Sequence, residues 1–161
     1  MTEFVFEAAD EAATERFGAV LAAAIPNGTT IALCGTLGAG KTRLVQAIAA
    51  ACGISREEVV SPTFVLCQQY AGSRVLNHLD AYRVHGVDEF RELGAEELFD
   101  TSAITIIEWA DRVADALPDD YLRIDIDVTG STSRRFCTRA IGQQYERTIA
   151  TLSRRLLAPD S

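Results

Sequence analysis

Gly35-Thr36-Leu37-Gly38-Ala39-Gly40-Lys41-Thr42 sets glycines, one lysine and one hydroxyl at the spacing G-x-x-x-x-G-K-[ST]. Glycines let a backbone close tightly around phosphate oxygens, an ammonium on a four-carbon stem reaches the β- and γ-phosphates, and a threonine hydroxyl suits Mg²⁺. Lys41 is the only lysine among 161 residues; the other fourteen basic residues are arginines. On a solvated face either cation serves, whereas a planar guanidinium has the wrong shape for a narrow backbone cradle. The one lysine of an arginine-rich chain stands where the chemistry requires it, which implies nucleoside-triphosphate binding through Gly38, Ala39, Gly40, Lys41 and Thr42.

Such a loop functions only between a strand and a helix, and the flanking sequence predicts both. Thr29 to Cys34 is a short apolar run behind the turn signal Pro26-Asn27-Gly28, and Arg43 to Cys52 is rich in helix formers and stops at Gly53. Backbone N–H groups of residues 38–42 then face the phosphates from a helix N-terminus, where the dipole favours negative charge.

A Mg²⁺ ion beside Thr42 calls for a carboxylate at the end of a second apolar strand. Glu108 follows Ala103-Ile104-Thr105-Ile106-Ile107, the best candidate for a central strand beside the phosphate-loop strand, and Asp80 ends the strand Arg74 to Leu79. Glu108 is favoured for the metal and Asp80 for orienting the attacking water, with the assignment of direct metal contact left open between them. A strand period of two puts His78, Asp80 and Tyr82 on one face. Ser61 and Thr63 offer hydroxyls where related NTPases keep a γ-phosphate-sensing switch. Trp109, the sole tryptophan, adjoins Glu108.

The remaining elements predict an α/β fold. Phe4 to Phe6 reads as a strand, Asp10 to Ile25 as a helix, and Thr63 to Tyr70 with Arg74 to Leu79 as a hairpin turning at Ala71-Gly72-Ser73. Asp88 to Phe99 reads as helix interrupted near Gly94, Leu122 to Val128 alternates as a half-exposed strand, and Gln143 to Leu157 closes as a helix. The expected architecture is a single P-loop NTPase-like layered sandwich over residues 1–161, with a mixed, mainly parallel sheet and an inserted β-hairpin.

Composition narrows the function classes. A hydrophobic share of 48% with 24% charged residues is that of an ordinary globule, no apolar stretch is long enough to span a membrane, and the first residues lack the basic region of a signal peptide. A cytoplasmic protein is expected. The formal charge of −8 argues against direct nucleic-acid binding, and alternation around Arg134, Arg135 and Arg139 predicts a solvated strand face. Cys34, Cys52, Cys67 and Cys137 have no metal-ligand spacing and are expected as buried reduced thiols.

Taken together, GTLGAGKT, Ser61-Pro62-Thr63-Phe64, His78-Leu79-Asp80-Ala81-Tyr82-Arg83, Gly94-Ala95-Glu96-Glu97 and Ile107-Glu108-Trp109, in this order and spacing, resemble the TsaE (formerly YjeE) family. The resemblance implies an ATPase required for threonylcarbamoyladenosine formation in tRNA. It implies partnership with TsaD and TsaB, whose complex modifies the adenosine beside the anticodon of tRNAs reading codons that begin with A, and ATP hydrolysis that resets this machinery. By the same likeness Lys41 and Thr42 hold phosphate and Mg²⁺, Glu108 serves the metal, Asp80 supports hydrolysis and Ser61 to Phe64 form the switch. Thr63, Trp109 and Arg134 are further candidate nucleotide contacts. Thr36, Arg43 and Ala110 depart from the family pattern without removing a group that touches phosphate or metal.

Other nucleotide chemistries compete with this reading. A GTPase of the usual kind needs a second lysine for guanine, which the chain lacks. A small-molecule kinase could use Asp80 as base toward an acceptor hydroxyl, and an assembly module could bind nucleotide with incidental hydrolysis.

Overall fold

A computed structural model describes residues 2–36, 38–60 and 67–157. The apolar run before the phosphate loop forms β2 (Thr30–Gly35), buried on both faces, as a strand in the middle of a parallel sheet must be. Around it the sheet is ordered β1-β7-β6-β2-β5-β4-β3, with β1 Glu3–Ala8, β3 Cys67–Ala71, β4 Val75–Asp80, β5 Ile104–Glu108, β6 Tyr121–Val128 and β7 Arg134–Ile141. β6, β2, β5 and β4 run parallel. The expected hairpin adds β3 antiparallel at one edge, and β7 with β1 adds a second antiparallel unit at the other.

The period-two pattern of the central strands sends side chains to two cores. Ile31 and Leu33 of β2, Ile104 and Ile106 of β5 and Leu76 of β4 face a core shared with α1 (Glu11–Ala24), α2 (Lys41–Ala51) and α5 (Glu146–Leu157). Ala32, Cys34, Leu79 and Ile107 face the other, covered by α3 (Val87–Glu92), α4 (Ala95–Phe99) and a 3-10 segment, Ala110–Ala116. Gly94, at φ 79°, makes the break between α3 and α4 that its position predicts. Asp10 caps α1 by accepting the Ala13 N–H at 2.8 Å. The rings of Phe6, Phe17 and Phe136 stack in sequence, binding α1 to the β1–β7 edge with centroids 5.6 and 4.6 Å apart.

Several expectations need correction. The helix α2 starts at Lys41 rather than Arg43, because Gly40 takes a left-handed conformation at the N-cap and turns the chain into the helix before the lysine. The described part of the expected strand Thr63 to Tyr70 is a strand, β3, which runs one residue further, to Ala71; Ser61, Pro62, Thr63, Phe64, Val65 and Leu66 lie outside the described residues. Tyr82 falls beyond the end of β4 and does not follow the strand register of His78 and Asp80. Cys34 and Cys52 are buried, but Cys67 is exposed and Cys137 half-buried, since the first lies on the edge strand and the second on the solvated face of β7. On β7 the expected alternation holds, with Arg135 and Arg139 on the solvated face, where they pair with Glu7 and Glu3 across the β1 register.

Gly18 lets α1 and α2 touch, because a Cβ there would stand 2.4 Å from the Ala47 Cβ. Gly18→Val should therefore force the helices apart and destabilise the fold by about 1–3 kcal/mol. Ala23 is exposed on the same helix, and Ala23→Ser should stay within about 0.5 kcal/mol of wild type. Denaturant unfolding of the two variants checks this, and equal midpoints would show that the helix contact is not tight.

Candidate nucleotide site

Four parts of the fold converge on one cleft of about 460 Å³ at the carboxyl ends of the parallel strands, lined among others by Gly38, Gly40, Lys41, Thr42, Asp80, Tyr82, Glu108, Trp109 and Arg134. The loop after β2 supplies one wall. Gly38 and Gly40 have φ of 79° and 103°, and a Cβ on Gly38 would meet nothing within 4 Å, so the loop leaves open space on its outer side. Where α1 has a capping aspartate and an acid in its first turn, α2 has neither. Its first N–H groups and the positive end of its dipole are thus left to an anion from outside the chain.

The carboxylates arrive from the strands. Asp80 and Glu108 are the last residues of β4 and β5 and stand opposite each other in the parallel register, on the sheet face that α2 covers. Both are buried, and so is Lys41, 5% exposed. The Thr42 hydroxyl lies 3.1 Å from both oxygens of Glu108. A hydroxyl and a carboxylate so placed fit a hard cation that keeps several waters and completes its shell from phosphate oxygens, which is the habit of Mg²⁺. Among the described residues no group of three or more His, Cys, Asp or Glu side chains could hold a metal alone. Asp80 Oδ1 accepts the Tyr82 N–H at 2.8 Å, fixing the turn after β4.

Lys41 lies under the loop, its ammonium donating to the carbonyls of Gly35 and Thr36 at 2.8 Å each and sitting 3.9 Å from the centroid of the Trp109 ring. Burial pushes its pKa below the ordinary lysine value, against the pull of Glu108, Asp80 and Asp111. Trp109 is the one non-glycine among the described residues with positive φ, at 59°. That turn, immediately after β5, swings the indole over the lysine, where Tyr82 packs at 4.9 Å between centroids. Arg134 crosses from β7, its Nε donating to the Ala39 carbonyl at 2.8 Å and its Nη1 to Gly130 and Ser133 carbonyls. Arg43, a departure from the family pattern, pairs with Glu11 of α1 and so ties the two helices.

The structure thus brings together Gly38, Ala39, Gly40, Lys41, Thr42, Asp80, Glu108, Trp109 and Arg134. Thr63 lies outside the described residues. Two contacts had only faint sequence signals. One is the lysine–indole contact, hinted at by a lone tryptophan next to Glu108. The other joins His78 Nε2 to Glu108 Oε2 at 2.5 Å, hinted at by the shared face of His78 and Asp80.

A glycine-rich loop between a central parallel strand and an uncapped helix, facing strand-end carboxylates, defines a P-loop-type nucleotide-binding protein. The family described as threonylcarbamoyl adenosine biosynthesis protein TsaE matches residues 8–136, and the chain belongs to that family. It is 37% identical over 121 residues to the tRNA threonylcarbamoyladenosine biosynthesis protein TsaE of Treponema pallidum, covering 75% of this chain and 89% of the relative. With the protein of that description from Bacillus subtilis it shares 36% over 142 residues, covering 88% of each. The crystal structure of Bacillus subtilis YdiB superposes with a TM-score of 0.80 at 29% identity, over 96% of this chain and 97% of that one.

The Lys41 contact can be read optically, because Trp109 is the sole tryptophan. Lys41→Met in the protein without nucleotide should shift or brighten the emission by removing the cation from the ring. An emission spectrum identical to wild type would show that the ammonium does not rest on the indole in solution.

Proposed function

We propose that the chain is a single-domain, Mg²⁺-dependent ATPase of the cytoplasm that acts with TsaD and TsaB in threonylcarbamoyladenosine modification of tRNAs reading codons beginning with A. Its hydrolysis of ATP resets the TsaD–TsaB complex between turnovers. The observation that carries this reading is the Thr42 hydroxyl set against both oxygens of Glu108 at the uncapped start of α2, with Asp80 on the adjoining strand.

In this reading the N–H groups of residues 38–42 bind the phosphates, and Lys41 exchanges its carbonyl partners for the β- and γ-phosphates. Thr42 and Glu108 hold Mg²⁺, which when bound neutralises charge on the transferring phosphate. Asp80 orients the attacking water, Trp109 covers the site, and Arg134, on the cleft wall, contacts the nucleotide while holding the loop through Ala39. Thr63 and its neighbours serve as the γ-phosphate switch. Phosphoryl transfer depends on charge stabilisation that a docking partner can supply, so the isolated protein is slow and the complex faster. The tRNA is held by the partners, in keeping with a charge of −8 and with Arg135 and Arg139 of β7 already paired with β1 acids.

The decisive assay is ATP hydrolysis with and without TsaD and TsaB, with phosphate release measured in the absence of any acceptor. Weak turnover alone, clear stimulation by the pair and negligible tRNA binding at physiological salt are expected. A phosphorylated small-molecule acceptor would make the protein a kinase instead, and full activity without partners would remove the proposed division of roles.

Single substitutions separate the two carboxylates. Glu108→Gln should lose the Mg²⁺ dependence of nucleotide affinity, whereas Asp80→Asn should keep affinity and lose turnover by about 10²-fold or more. Calorimetric titration and turnover measured on both variants check the roles, and the opposite pattern would exchange them. Lys41→Arg should fail to bind nearly as completely as Lys41→Ala, since the carbonyl cradle admits an ammonium and not a guanidinium.

A further inference from the structure

His78 takes no part in the chemistry so far described and does not line the cleft, yet it is fully buried and joined to the carboxylate at its centre. It lies on β4 two residues before Asp80, on the sheet face toward α2, with Ile106 opposite it in the β5 register and Glu108 one side-chain repeat further along. From there its Nε2 meets Glu108 Oε2 at 2.5 Å. Its Nδ1 is buried with no hydrogen-bond partner among the described residues. An ionised carboxylate only accepts, so the 2.5 Å contact makes Nε2–H the donor and Glu108 Oε2 the acceptor.

We infer that His78 is a positioning residue for Glu108, holding one carboxylate oxygen from the sheet side so that the group faces Thr42 and the cleft. This rests on the reading of Glu108 as the Mg²⁺-holding carboxylate. A glutamate has three rotatable bonds, and one buried to 3% exposure keeps its charge only where donors meet it. Thr42 approaches both oxygens from α2 at 3.1 Å, on the side a cation would share. When a cation draws on the threonine hydroxyl, the histidine is the donor that stays, and it sets the direction in which Glu108 points. Partners behind metal-binding carboxylates act in this way, and losing one costs metal affinity about 10–100-fold.

The test compares His78→Leu, which keeps bulk but no donor, with His78→Gln, whose side-chain amide carries an N–H close to the place of Nε2. Affinity for a non-hydrolysable ATP analogue is titrated in Mg²⁺ and in EDTA, beside Glu108→Gln and wild type. His78→Leu should lose about 10-fold or more in Mg²⁺ and little in EDTA, and His78→Gln should recover most of the loss. Wild-type affinity of His78→Leu in Mg²⁺, alongside a Glu108→Gln variant that has lost its Mg²⁺ dependence, overturns the positioning role. Retained Mg²⁺ dependence in Glu108→Gln overturns the metal assignment of Glu108, and with it this inference. A loss equal in Mg²⁺ and EDTA overturns the inference too, marking His78 as structural only.

The wild-type protein supplies a measurement that no folding defect can spoil. It has two histidines, so a nitrogen-15 spectrum of the imidazoles, assigned with a variant of the exposed His85, reads the tautomer of His78 directly. A ring that carries a proton on Nε2 supports the inference, and a ring protonated on Nδ1 alone overturns it.

Discussion

A carboxylate inside a protein keeps its charge only where donors meet it, and the centre of this molecule is arranged around that constraint at Glu108. The side chain ends the central strand β5, one place from the phosphate-loop strand, on the face that α2 covers. Its donors come from two directions, the threonine on the first turn of the helix and the histidine on β4. Each donor is tied to an element of its own, so the carboxylate fixes the relation of β4, β5 and α2 at the end of the sheet where a ligand enters. The same end carries the phosphate loop because β2 lies beside β5 and runs parallel to it.

The two cores divide the labour between the faces. The α1, α2 and α5 side carries the loop helix and the carboxylates, and the α3, α4 and 3-10 side reaches the site only through the turns that leave β4 and β5. Tyr82 and Trp109 sit in those two turns and pack on each other, with the indole over Lys41. The antiparallel additions stay at the edges, where β7 sends Arg134 back to the loop carbonyl of Ala39.

Much of this was legible in the chain because it depends on short-range pattern. The apolar runs before Gly35 and Glu108 mark strands buried on both faces, which only the middle of a parallel sheet provides. The Ala71-Gly72-Ser73 turn and the break at Gly94 likewise arise from local backbone freedom. Strand order is not local, so nothing in the residues around 134–141 said that β7 would lie between β6 and β1 and disarm its arginines against Glu3 and Glu7. Nor does periodicity carry the left-handed turn at Trp109, since a bulky residue adopts it only when its surroundings compel it. The exposure of Cys67 was hidden for a related reason: an apolar neighbourhood in sequence does not tell an edge strand from an inner one.

The backbone of Trp109 stores energy. A left-handed conformation costs a residue of this kind about 1–3 kcal/mol and lasts only while side-chain contacts over-determine it. Here those contacts are the ammonium of Lys41 on one side, the ring of Tyr82 on another and Arg112 beyond. One of the three belongs to the phosphate loop. Relaxation of that backbone toward an ordinary conformation would carry the 3-10 segment Ala110–Ala116 with it, and α3, packed against that segment, lies next in line. A continuous chain of contacts, Lys41 to Trp109 to the 3-10 segment to α3, thus runs from the phosphate loop to the helical layer on the opposite face of the sheet.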